Sequence, residues 1–170
     1  MASSSITALK NSCKTSAGDE CYTPAYAVEP LLNFLPKDKI IYEPTSFVSK
    51  NIVNYLRDNS FKVTENNDDT DFLQDELPEF DLIVTNPPYS IKDKFIEKCY
   101  KLNKPFALLL PVSAIQGNKR GEMFMNKGIE ILVLNQRVNF TKQGSPHFGV
   151  AWFCKDILPE KLMFTNIKKG

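Results

Sequence analysis

Histidine is almost missing from this chain. There is one, His147, and the four cysteines (Cys13, Cys21, Cys99 and Cys154) form no CxxC pair and keep no regular spacing. That set does not supply the ligands of a zinc or a haem site, so no metal centre is expected. Long apolar runs are missing too. The longest, Pro105 to Ile115, falls far short of the roughly 18 residues that a membrane-spanning helix requires, and no membrane association is expected. The opening MASSSITALKNSCKTSAGDE lacks the apolar run of a secretory signal. Ser-rich and poor in acids, residues 1–18 read as a flexible tail rather than a transit peptide, and a cytoplasmic protein is expected, in host cytoplasm if its origin is viral.

A large net charge is also lacking: 21 Lys and Arg face 20 Asp and Glu over 170 residues, leaving +1. The balance hides an asymmetry. From Ser16 to Leu82 there are 5 basic and 14 acidic residues, a difference of −9, whereas Ile91 to Lys142 holds 10 basic and 4 acidic, or +6. A polyanion would therefore meet the second half, although a run of charge is also what a plain solvated face carries.

With 42% hydrophobic and 24% charged residues the chain has the composition of one ordinary globular domain, and order is expected from Asp19 onward. Thr23-Pro24 has the form of a helix N-cap followed by proline in the first turn, with Ala27, Val28, Leu31, Leu32 and Leu35 on one face and Pro30 shortening the helix. Short apolar runs at Lys39 to Pro44, Phe61 to Glu65, Phe80 to Thr85, Phe106 to Leu110, Ile129 to Leu134, Phe148 to Cys154 and Leu162 to Phe164 predict strands. Helices are predicted at Ser49 to Asp58, from Ser90 with Asp93 in capping-box spacing, and at Lys119 to Lys127, closed by Gly128. This alternation predicts an α/β fold, a mostly parallel sheet with helices on both faces, whose functional loops follow the strands' carboxyl ends.

One such loop carries recognisable chemistry. Asn86-Pro87-Pro88-Tyr89 follows a strand whose continuous apolar run is that of one buried on both faces. Two prolines and an asparagine would also end any strand. All four residues together, however, suit an exocyclic NH2. The Asn86 side-chain oxygen and the Pro87 carbonyl can accept both N–H hydrogens, and Tyr89 offers a stacking surface. Accepting both hydrogens favours a pyramidal nitrogen with a usable lone pair, and acceptors fixed in advance help most. No histidine base is needed, because the proton becomes acidic once a methyl group has arrived.

With those residues in view, the sequence resembles the class I S-adenosylmethionine-dependent methyltransferases, in particular the adenine-N6 amino-methyltransferases and, among them, small phage-type proteins. Asp19-Glu20-Cys21-Tyr22-Thr23-Pro24 is similar to the family's amino-terminal cofactor motif, Glu43-Pro44 to the start of its first-strand loop, and Asp71-Phe72-Leu73 to the motif beside the cofactor adenine. Asn86 to Tyr89 is its catalytic tetrapeptide unchanged. Arg137-Val138-Asn139-Phe140, Ser145-Pro146-His147-Phe148 and Trp152-Phe153 are similar to the closing strands of the phage enzymes. The resemblance implies a single Rossmann-like methyltransferase domain over residues 19–170 and S-adenosylmethionine as cofactor. It implies methyl transfer to adenine N6 of DNA or RNA, with Tyr89 stacked on an extruded base and Phe140 or Phe148 on the base's other face. Cofactor contacts are then expected from Tyr22, Thr23, Pro24, Glu43, Pro44, Glu65, Asp71 and Phe72, and nucleic-acid contacts from Lys92, Lys94, Lys119 and Arg120.

The chain departs from the family in two places. Members carry Gly-x-Gly after Glu-Pro, where backbone approaches the cofactor with no Cβ in the way; here Thr45-Ser46-Phe47-Val48-Ser49 stands there, and no glycine lies between Gly18 and Gly117. Weak cofactor binding is the expectation, with an inactive nucleic-acid-binding or regulatory module as one alternative and a protein-glutamine methyltransferase as another. Only about fifteen residues separate Glu65 from the next clear strand, which predicts a reduced third strand. No room remains for a target-recognition domain, so specificity would come from a specificity subunit or homo-oligomer, from substrate shape, or from the loops after Ser90 and Val112.

Overall fold

The computed structural model describes residues 22–46, 49–66, 70–74, 76–140 and 148–169. The first 21 residues, the Phe47-Val48 pair and the Ser145-Pro146-His147 stretch lie outside the described residues.

A short helix α1 (Ala25–Val28) passes into a 3-10 turn (Glu29–Phe34) with Pro30 in its first positions, since proline has no N–H for the α-helical ladder. Then come β1 (Ile40–Glu43), α2 (Asn51–Asp58), β2 (Lys62–Glu65), β3 (Leu82–Thr85) and α3 (Lys92–Leu102), the last entered through a 3-10 turn at Tyr89–Ile91. After these follow β4 (Phe106–Pro111), a 3-10 turn (Val112–Ile115), α4 (Asn118–Lys127), β5 (Glu130–Leu134), β6 (Val150–Lys155) and β7 (Leu162–Thr165). Gly128, at φ +78°, closes α4 in a conformation that glycine adopts without steric cost.

The strands form one seven-stranded sheet in the order β2-β1-β3-β4-β6-β5-β7. Pairing is parallel throughout except for β6, which runs antiparallel between β4 and β5. Strand neighbours alternate their side chains across two faces. On one face Ile41, Leu82, Val84, Ala107, Leu109 and Trp152 pack against Ala27, Val28 and Leu31 of the first helical segment and Ile52 and Leu56 of α2. On the other, Ile83, Leu108, Leu110 and Phe153 meet Phe95, Ile96 and Cys99 of α3, with Met123 and Phe124 of α4 alongside. Helices thus cover both faces, as the alternation of patterns requires. No strand occurs among the described residues between Glu65 and Leu82, which agrees with the expected reduction of the third strand. No helix among the described residues is long and apolar enough to cross a membrane.

Two local expectations are corrected. Thr23 does not cap α1: the residue at the N-cap position is Pro24, which makes no side-chain bond to the helix, and the Thr23 hydroxyl bonds elsewhere. Ser90 lies inside a 3-10 turn and does not cap α3 either. Its intended partner Asp93 is drawn to the Arg120 guanidinium, a charge-assisted bond stronger than a neutral cap.

Candidate active site

The chain leaves β1 towards β2 on one side and returns to β3 on the other, so the sheet's topological switch lies between the carboxyl ends of β1 and β3, where open α/β sheets bind ligands. Glu43 ends β1, Thr85 ends β3 and Asn86 follows at once. The structure therefore brings two of the expected elements to the same crevice mouth.

Glu43 is buried, 1% exposed. Its Oε1 accepts hydrogen bonds from the Thr45 backbone N–H at 3.1 Å, from the Thr45 hydroxyl at 2.7 Å and from the Thr85 hydroxyl. Its Oε2 is buried with no hydrogen-bond partner among the described residues. Burial pushes the Glu43 carboxyl up to about 7 despite the bonds from Thr85 and Thr45, and the charge on Glu65 adds to the rise. The Thr45 and Ser46 side chains, which stand where the family has glycine, turn into the fold. Thr45 serves Glu43, and the Ser46 hydroxyl donates to the Asn66 carbonyl at 3.2 Å. Asn66 ties the crevice floor together, donating from Nδ2 to the Pro44 carbonyl at 2.9 Å and to the Thr70 carbonyl at 3.2 Å while its Oδ1 accepts from the Tyr42 hydroxyl.

Across the switch, the Asn86 Nδ2 donates to the Thr23 hydroxyl oxygen at 3.0 Å, and the Asn86 Oδ1 is buried with no hydrogen-bond partner among the described residues. Pro87 and Pro88 are buried. Tyr89 opens the turn before α3, and the Phe148 ring meets it edge-on with centroids 5.7 Å apart and planes at 73°. Of the two aromatics expected on the base's other face, Phe148 is in ring contact with Tyr89 itself, while Phe140 packs against the α1 side of the core. α1 itself is anchored at a distance: the buried Trp152 Nε1 donates to the Ala27 carbonyl at 2.7 Å, and the Asn139 N–H donates to the Tyr26 hydroxyl at 2.9 Å.

The remaining expected residues divide. Tyr22 is half exposed and Thr23 and Pro24 are buried next to the tetrapeptide. Asp71 is buried with Oδ1 accepting the Leu73 N–H at 2.9 Å, but the Phe72 ring is used in the core, stacked on Phe95 at 4.9 Å. Glu65, in register with Glu43 on the neighbouring strand, is bound by Arg57 at 2.9 Å and Lys50 at 3.2 Å. Burial would raise its carboxyl, but the hydrogen bonds and charges of Arg57 and Lys50 outweigh that and hold it below the usual carboxylate range. Lys92 donates to the Tyr89 carbonyl at 3.3 Å, and Lys94 and Lys119 are exposed. Arg120 is turned inward onto Asp93 and the Ala114 and Gln116 carbonyls. The glycine at position 117 lets it lie there, since a Cβ at that position would meet the guanidinium at 2.6 Å. Among the described residues no group of His, Cys, Asp and Glu could hold a metal ion.

Sequence reasoning missed Thr45, Thr85 and Asn66. A threonine closing an otherwise apolar strand just before the tetrapeptide was the available signal for Thr85; the other two sit in polar turns with none.

Strand order, one antiparallel strand near the far edge and helices on both faces define the Rossmann-like fold of class I S-adenosylmethionine-dependent methyltransferases. Among solved structures, the chain is similar to the methyltransferase subunit of a type I restriction-modification system from Streptococcus thermophilus, with a TM-score of 0.60 and 16% identity over 89% of this chain and 49% of that one. It is also similar to a Listeria monocytogenes protein described as a class I S-adenosylmethionine-dependent methyltransferase (TM-score 0.59, 15% identity, 95% of this chain and 70% of that). A third likeness is to a dimethyladenosine transferase from Plasmodium falciparum (TM-score 0.51, 12% identity, 79% and 62%). The chain spans about half the length of the first of these. At such identities the likeness is one of fold. No family model and no curated protein sequence matches the chain.

Proposed function

We propose that the protein transfers a methyl group from S-adenosylmethionine to an exocyclic amine, adenine N6 of DNA or RNA. The observation that carries this reading is the Asn86 amide: its NH2 is engaged by Thr23, and its oxygen is left buried at the switch point with no hydrogen-bond partner among the described residues. An acceptor held in that state costs stability unless a donor arrives, and an amino N–H is such a donor.

The residues present fit the cofactor. Glu43 Oε2 is a second buried acceptor with no hydrogen-bond partner among the described residues, suited to a cationic group, and the side chains of Thr45 and Ser46 are buried and bonded to Glu43 and Asn66. Tyr22, Pro24, Glu43, Pro44, Asp71 and the Thr23 backbone would hold it, the Thr23 hydroxyl being bonded to Asn86, and Glu65 would share its carboxylate between ribose hydroxyls and its two cations. When bound, S-adenosylmethionine supplies an electrophilic methyl group. Asn86 Oδ1 and the Pro87 carbonyl accept the two N–H hydrogens of the target amine, which weakens conjugation of its lone pair with the ring. The bond formed is N–CH3 and the bond broken is the donor's S–CH3, whose electron pair returns to sulfur to leave a neutral thioether; the displaced N–H proton passes to solvent. Tyr89, with Phe148 edge-on to it, offers its ring to the base.

The test is to incubate the protein with labelled methyl donor and DNA, RNA or protein extract in turn. Label recovered as N6-methyladenine after nucleic-acid hydrolysis is the expected result. Label on glutamine would overturn the adenine assignment, and no label in any fraction would overturn methyl transfer.

Phosphate contacts fall in this reading to Lys92, Lys94 and Lys119, with Arg120 already paired. Replacing the three lysines by alanine is expected to weaken nucleic-acid binding and to lower the slope of log affinity against log salt by about 2 to 3 in magnitude, as loss of three phosphate contacts requires. An unchanged salt slope in a binding titration would remove these lysines from the interface.

A further inference from the structure

We infer that Thr23 is a positioning residue for Asn86, holding the side-chain amide by its NH2 end at the crevice; this deepens the proposed methyl transfer and rests on it.

An asparagine amide presents an acceptor at one end and two donors at the other, and half a turn about its last torsion exchanges them. Amine activation needs the acceptor, and Asn86 turned the other way would set N–H against N–H. The contact that holds the amide by its NH2 end is the one at 3.0 Å between Asn86 Nδ2 and the Thr23 oxygen. Three further observations make this a built arrangement. Thr23 is 2% exposed, so water is a poor substitute for its hydroxyl. The hydroxyl is free of the capping duty that its place before Pro24 suggests, because α1 takes no side-chain cap. The helix that follows it is held by bonds remote from the crevice, from Trp152 to the Ala27 carbonyl and between Tyr26 and Asn139, so Thr23 is placed by the core and not by its partner.

The consequence is that Thr23 acts through Asn86. Thr23→Val keeps the shape and removes the acceptor, leaving the Asn86 NH2 free to turn. The first readout needs no activity: solvent exchange of the Asn86 side-chain NH2, followed in nitrogen-15 spectra and assigned by its loss in Asn86→Ala. Exchange is expected to accelerate at least roughly tenfold in Thr23→Val and to stay slow in Thr23→Ser, which keeps a hydroxyl. The second readout is turnover. Thr23→Val is expected to lower kcat by roughly tenfold to a hundredfold with KM for nucleic acid unchanged, Thr23→Ser to restore most of it, and Thr23→Val to cost nothing further in an Asn86→Ala background. Should Thr23→Val fail to fold, Thr23→Ala makes the same comparison. Unchanged NH2 exchange in the valine or alanine variant would overturn the inference, as would a kcat loss that persists in full without Asn86. A wild-type protein that labels no amine would instead sink the methyl-transfer reading, and the exchange result would still decide the role of Thr23.

Discussion

Asn86→Ala is expected to fold, to bind S-adenosylmethionine as the unsubstituted protein does, and to turn over roughly a hundredfold to a thousandfold more slowly, the range found when one pre-set polar group of an active site is removed. The reasoning separates ground state from transition state. A planar, conjugated NH2 is a weak partner for Oδ1 before reaction and a stronger one as the nitrogen becomes pyramidal and gains positive charge, so the loss belongs in kcat and not in KM. Folding should be spared. The side chain lies on a loop after β3, partly exposed, and contributes one neutral hydrogen bond, to Thr23. Asn86→Asp separates acceptor from donor: it keeps two oxygens for the amine and loses the NH2, while the Thr23 hydroxyl can turn to donate to it. Turnover of the aspartate variant is therefore expected to lie well above that of alanine. Steady-state kinetics with labelled methyl donor would check both, and an alanine variant with near-normal kcat would refute the acceptor role.

Much of this site is legible in the sequence. The tetrapeptide follows an apolar run, and in a parallel sheet such a run ends at the functional edge, so strand pattern alone set Asn86 to Tyr89 beside the crevice. The shortfall of residues between Glu65 and Leu82 announced the reduced third strand in the same way. What failed was local chemistry overridden by distant partners. Thr-Pro before a helix reads as a cap, yet Asn86, 63 positions away, takes the hydroxyl. Ser90 and Asp93 have capping-box spacing, yet Arg120, 27 positions on, takes the carboxylate. Thr45 and Thr85 converge on Glu43 only because β1 and β3 are neighbours in the sheet, and periodicity along the chain carries no record of which strands pair. The missing glycines predict side chains in the way of the cofactor. Thr45 and Ser46 are buried and hydrogen-bonded to Glu43 and Asn66, and Phe47 lies outside the described residues.

The buried carboxylate those threonines serve should dominate the pH dependence of stability between about 4.5 and 7. In the folded protein the Glu43 carboxyl titrates at about 7, against 4.5 for an unburied one. A carboxyl whose folded value is raised contributes stability that is complete below its unfolded value and is lost as pH rises through its folded value. Its loss here is therefore expected to run from about 4.5 to 7 and to amount to about 3 kcal/mol, at roughly 1.4 kcal/mol for each tenfold change in proton affinity. The cause is desolvation: Thr45 and Thr85 satisfy Oε1, nothing among the described residues satisfies Oε2, and the Glu65 carboxylate on the adjacent strand repels the charge although Lys50 and Arg57 balance it. Glu43→Gln isolates the effect. Its amide oxygen can accept the same bonds from both threonines, and its NH2 takes the place of the protonated oxygen, so it mimics the acid form at every pH. Urea denaturation of both proteins from pH 4.5 to 8 should show near-equal stability at the acid end and the glutamine variant ahead by about 3 kcal/mol at the alkaline end. Parallel curves would mean that the Glu43 carboxyl has the same proton affinity in the folded and unfolded chain, and would overturn the desolvation argument.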